Sequence, residues 1–128
     1  MTEFTFLSVV SMAEQVRLKK LSPVELVSAH LARIERLNPR INAFVQVDAE
    51  GARRQARAAE DAVARGEKLG PLHGVPLSIK SSIEVEGLRC EAGTKLRAGF
   101  VAGQDAPLVS RLRKAGRLSW ARPTHPNC

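Results

Sequence analysis

Residues 70–80, GPLHGVPLSIK, constrain the fold more than any other stretch of the chain. Proline presets φ and glycine tolerates backbone angles that other residues avoid, so Gly70-Pro71 and Gly74-Val75-Pro76 predict tight turns that steer the chain into position. After them, Leu77, Ile79, Ile83 and Val85 place apolar side chains at near-alternate spacing with Ser78, Ser81 and Ser82 between, which predicts one or two short strands. Lys80 then falls at a strand end, where sites in α/β sheets tend to lie. Taken alone, a lysine in that place is most simply a solvated surface charge.

Upstream, helix and strand patterns alternate. An amphipathic helix without a strong cap is predicted over 7–19. Ser22-Pro23-Val24-Glu25 then reads as a helix start, with a hydroxyl at the N-cap, proline at the first helical position and glutamate at N3. Val24, Val27, Leu31, Ile34 and Leu37 recur in steps of three and four and form one apolar stripe, which Asn38-Pro39 is expected to end because proline supplies no amide hydrogen. His30 and Arg33 fall off the stripe, so His30 reads as a surface residue rather than a ligand or base. Residues 43–47 read as a strand, and Asp48 as the N-cap of a helix over 49–65 stopped by Gly66, with an apolar face of Ala52, Ala56, Ala59 and Val63. Turns at Gly87 and Gly93 and a loop over 98–103 lead to Asp105, expected to cap a helix over 106–115 that ends at Gly116. Strand, helix and strand in this order predict an α/β layer architecture, undivided by repeats, low-complexity runs or linkers.

With 128 residues and 44% hydrophobic content, the chain is one domain or a piece of one. No long apolar run predicts a transmembrane helix, and the start lacks the pattern of a secretory signal, so a cytoplasmic protein is expected. Cys90 and Cys128 are too few for a disulfide framework or a zinc site; free thiols, no metal and no cofactor are expected. The net charge of +7 raises the question of a nucleic-acid partner. Arg53, Arg54, Arg57 and Arg65 are mixed with Glu50, Glu60, Asp61 and Glu67, and the aromatics, 4% of the chain, are not interleaved with basic residues. Direct nucleic-acid binding is therefore not expected, although Arg111, Arg113, Lys114, Arg117 and Arg122 cluster late in the chain.

GPLHGVPLSIK, together with the turns at Gly87 and Ala92-Gly93-Thr94 and the run APLVSRLRKAG, resembles the N-terminal part of the amidase signature family. These are serine hydrolases of carboxamides and include one of the subunits of the glutamyl-tRNA amidotransferase. The likeness extends from about Ser22 to Gly116, and its most specific element is the spacing of Gly74, Pro76 and Lys80. The resemblance implies an α/β fold class, with this chain an N-terminal fragment whose helices pack on a mixed, incomplete sheet. It also implies a serine nucleophile, a second serine on a cis peptide, and a lysine that starts the proton relay; matched residue by residue, Lys80 is the catalytic residue present. The glycine- and serine-rich nucleophile segment, GGSSGGSA-like in the family, has no counterpart here, so Ser78, Ser81, Ser82 and Ser110 read as turn or surface hydroxyls. Ser81 stands where many members carry aspartate. A small-molecule amide substrate, no cofactor and no activity of the chain alone are the expectations that follow.

Residues 1–116 read as the N-terminal part of an amidase domain and 117–128 as an aberrant tail without apolar alternation, where no core strand is expected. Family members at this point resemble APILGKTNTPEL. Residues 118–128 can be encoded so that reading from the third base yields ILGKTNTPEL, which points to a single-nucleotide frameshift near Gly116. Two other functions stay open: a non-catalytic interaction fragment that associates with a relative through its open sheet, and a tRNA-associated, amidotransferase-like module.

Overall fold

A computed structural model describes residues 2–116 and 119–123, with side chains from 4 to 116. Its first helix, α1 (Val9–Arg17), follows a 3-10 turn at Thr2–Phe6 and, against expectation, is capped: the Ser8 hydroxyl accepts from the Ser11 amide at 3.1 Å. Next, α2 (Pro23–Ile41) begins as its sequence predicts, with the Ser22 hydroxyl accepting from the Val24 and Glu25 amides at 3.1 and 3.3 Å. The same hydroxyl donates to the Glu60 carboxylate on the third helix, so one side chain starts α2 and ties it to its neighbour.

The expected stop at Asn38-Pro39 does not occur. Pro39 lies within α2, which ends at Asn42 in the left-handed region, φ 48°. Proline's fixed φ fits a helix, and the carbonyl deprived of its partner is that of Glu35, on the exposed side, where water can satisfy it. Asn38 instead serves the next element: its side chain donates to the Phe44 carbonyl at 3.1 Å and accepts from the Phe44 amide at 2.8 Å, which fixes the start of β1 (Phe44–Val47).

Asp48 caps α3 (Ala49–Ala64) through the Gly51 amide at 3.0 Å, and Ala52, Ala56, Ala59 and Val63 are buried as the pattern predicts. Alanine on that face lets α3 approach α2 closely, and Val27, Ala52 and Ala56 with Val24 and Leu31 fill the space between them. The predicted α2 stripe misses Leu26, which is fully buried in the main core with Val16, Val85 and Val109. The helix is covered on two sides, so one stripe does not describe it.

The sheet has three strands in the order β1, β3, β2, where β2 is Pro76–Ser78 and β3 is Ser119–Pro123. It is mixed: β3 runs antiparallel to β1 and parallel to β2. The expectation that no strand follows the last helix, α4 (Pro107–Ala115), is thereby corrected. Ladder bonds are made by the backbone, so a segment without apolar alternation still completes the gap between two strands whose inner edges need partners. Pro123 falls at the strand's last position, where a missing amide costs least. Residues 124–128, including Cys128, lie outside the described residues.

What locks the strand lead-in to α4 is backbone packing. Leu72 donates to the Ala115 carbonyl at 3.0 Å, and a Cβ on Gly70 would stand 2.1 Å from that carbonyl oxygen. Gly70→Ala is therefore expected to destabilise the fold by about 2 kcal/mol or more through a clash that backbone cannot relieve. Gly66→Ala, with φ +69° but open space around it, should cost about 1 kcal/mol, and urea unfolding of both variants checks the order.

His30 on α2, expected at the surface, is half-buried, and its Nε2 is enclosed with no hydrogen-bond partner. Desolvation lowers its pKa from the ordinary 6.5, and the charge of Arg33 lowers it further. The unfolded chain then takes up this proton first as pH falls. Stability from this site is complete above about pH 6.5 and declines below it until the folded imidazole titrates. His30→Gln should flatten the difference between urea midpoints at roughly pH 7.5 and pH 5.

Candidate active site

Lys80 lies two residues beyond the end of β2. Side chains alternate across this exit: Ile79 enters the core, Lys80 is exposed, and Ser81 is buried again. The chain then turns, with the Ile83 amide donating to the Lys80 carbonyl at 3.0 Å, so the second strand that Ile83 and Val85 suggested does not form. Both residues still pack into or against the core, Val85 at 1% exposure. Alternation there has the pattern of a strand, yet apolar side chains on a turn serve the same burial without a ladder.

The approach to Lys80 is held from below by a histidine that sequence reading passed over. His73 is 5% exposed, and its Nε2 lies 2.8 Å from the Ala59 carbonyl on α3. Its own turn is closed by His73 donating to Gly70 and Val75 donating to Leu72, both at 3.2 Å. Gly74, at φ +80°, brings the chain against Pro23 and Val16, 3.1 Å from where its Cβ would be. The signal that could have found His73 was its place inside a Gly- and Pro-bounded turn, where a polar side chain is either exposed or tied to backbone.

Beyond Lys80 the segment is held by Asp105. This residue does not cap α4 as expected, since Pro107 sets the helix start and leaves Ala106 at the N-cap with no side-chain bond. The Asp105 carboxylate accepts instead from the Glu86 amide at 2.8 Å and from the Arg113 guanidinium at 2.5 Å. Burial alone would raise its pKa, but the Arg113 hydrogen bond, the Glu86 amide and the Arg113 charge outweigh it and hold the carboxyl below its usual value. Ala106 also donates to the Glu84 carbonyl at 2.9 Å. Residues 73–86 are thus held to α3 at His73 and, through Asp105 and Arg113, to α4 at Glu86, with Lys80 between.

Of the serines weighed from the sequence, Ser78 and Ser82 are exposed and Ser81 is buried, while Ser110 is half-buried on α4. Cys90 is a buried free thiol. Among the described residues no three His, Cys, Asp or Glu side chains gather as a metal site, and no helix is long and apolar enough to cross a membrane. A cleft of about 220 Å³ lies elsewhere, between the α1–α2 turn and α3, walled by Val16, Leu21, Pro23 and Val63 with Lys19 and Glu60.

The Amidase family model matches residues 25–126. In sequence the chain is 42% identical over 121 residues to an acylamidase of Rhodococcus erythropolis, covering 94% of this chain and 25% of that protein. Over 115 residues it is 40% identical to a glutamyl-tRNA(Gln) amidotransferase component of Streptomyces coelicolor, covering 90% and 23%. In structure it is similar to the peptide amidase of Stenotrophomonas maltophilia, with TM-score 0.85, 27% identity, and 96% and 26% of the two chains covered. The chain spans about a quarter of the length of these relatives. The family model covers most of the chain and the architecture is shared: the chain belongs to the amidase family, and its α/β fold is that family's.

Proposed function

We propose that this chain carries the base of a carboxamide hydrolase, with Lys80 at the start of a relay completed by two serines that are not among residues 1–128. The observation that carries this reading is the position of Lys80, at the exit of β2 within a motif and fold matched to amidases. In the proposed reaction the amine withdraws a proton from a serine on a cis peptide. That serine relays the proton of the nucleophile, whose oxygen attacks the amide carbonyl while backbone amides hold the oxyanion. The C–N bond then breaks as the relay returns a proton to the leaving amine.

A lysine serves as a base only when neutral, a state favoured by burial and opposed by water. Lys80 is exposed in this structure. The glycine- and serine-rich nucleophile segment has no counterpart in these residues, so the chain by itself is read as inactive. The same exposure favours a second reading, an interaction unit that acts only with a partner. The open sheet supports it too, since among the described residues β1 and β2 each pair with β3 alone. The tail, 117–128, as the product of a shifted frame belongs to the same proposal, and coding DNA incompatible with ILGKTNTPEL in the alternative frame would remove it.

Replacing the matching segment of the Rhodococcus erythropolis acylamidase with residues 25–116 of this chain tests the assignment. The chimera is expected to hydrolyse a simple amide, and Lys80→Ala in it to reduce kcat by about 100-fold or more. The 128-residue chain alone is expected to give no turnover. Turnover by the chain alone, or a chimera indifferent to Lys80→Ala, overturns the reading.

A further inference from the structure

The cleft of about 220 Å³ between the α1–α2 turn and α3 combines apolar walls with two opposite charges. Val16, Leu21, Pro23 and Val63 are all buried, and Val16, Leu21 and Val63 belong to the main core. Walls made of core residues hold their shape before anything enters. Lys19 joins the lining from the turn and Glu60 from α3. The two make no ion pair with each other, and Lys19 has no acidic partner among the described residues. One oxygen of Glu60, Oε1, accepts from the Ser22 hydroxyl, which leaves Oε2 open to a further donor.

Lys19 also stands where helices ordinarily place glycine. The Lys20 amide donates to the Gln15 carbonyl at 2.8 Å and the Lys19 amide to the Val16 carbonyl at 3.1 Å, so α1 closes on a turn with Lys19 in the left-handed region, φ 59°. A side chain there costs stability that glycine would not. The residue that bears this cost puts an amine on the lining of the cleft.

We propose that the cleft binds a free apolar α-amino acid, its carboxylate on the Lys19 amine, its ammonium on Glu60 and its side chain against Val16, Leu21 and Pro23. A zwitterion answers both charges at once, whereas a plain carboxylate brings a like charge to Glu60 and a plain amine brings one to Lys19. A cavity of about 150 Å³ takes a benzene ring, so this cleft has room for a leucine or phenylalanine side chain with its α-carbon. Lys19 and Glu60 are exposed, and exposed ion pairs contribute little singly, so binding needs both charges and the apolar contact together. Lys80 is not on this lining, and the proposal does not rest on the amidase reading.

Titration of the 128-residue chain with L-phenylalanine, followed by calorimetry and amide NMR, tests this. Saturable binding is expected, with the largest shifts at residues 16–23 and 60–64. L-phenylalaninamide, which lacks the carboxylate, and hydrocinnamate, which lacks the ammonium, should each bind about tenfold or more weakly. Lys19→Gly removes the amine and relieves the left-handed backbone, so it should weaken binding by about tenfold or more while the urea midpoint stays level or rises. Glu60→Gln keeps an acceptor for Ser22, removes the charge and should weaken binding in the same way. Ala64→Leu, at an exposed position on the lining, should block entry. No saturation at millimolar L-phenylalanine, equal binding of either analogue, or binding indifferent to Lys19→Gly in the folded chain overturns the proposal.

Discussion

The contact on which the rest depends is one of backbone on backbone, where the Leu72 amide meets the Ala115 carbonyl at 3.0 Å between two glycines. A Cβ on Gly116 would stand 2.6 Å from the His73 amide nitrogen, and one on Gly70 closer still to Ala115. Only residues without side chains allow the turn before β2 and the end of α4 to touch this way. The contact sets where β2 begins, and so where Lys80 emerges. It also joins segments more than forty positions apart, which a periodicity argument does not register.

Elements whose signals are local were legible. Ser22 and Asp48 cap the helices they were expected to cap, and the alanine face of α3 is buried residue for residue, because capping and helical spacing are decided within one or two turns. What was missed depends on partners distant in sequence. Asp105 has the residue type of a cap, yet a proline two positions on displaced the helix start, and the carboxylate found Glu86 and Arg113. Asn38 looked like the end of a helix and is a clamp on β1. The segment 119–123 has no strand pattern of its own and is a strand because β1 and β2 flank it. Of the candidate site, the place of Lys80 at a strand exit was legible from turn chemistry. The hold of His73 on α3 was not, since nothing within the turn indicates which carbonyl it will meet.

The segment around Lys80 is held on both sides, with the lysine exposed between. Pinning of residues 73–86 by α3 and α4 supplies orientation, which a scaffold can provide in advance. That orientation comes from contacts on either side of the sheet exit, at His73 and at Glu86.

Four arginines show how part of the positive charge is used within the fold. Arg113 is bound to Asp105, Arg97 to Glu84 and the Phe100 ring, Arg89 to Glu91 and the β1 backbone, and Arg33 to Thr5 and the Phe6 ring. Each of these four heads fixes one segment of the chain to another. An ordered arginine has already lost the side-chain freedom that binding would otherwise cost.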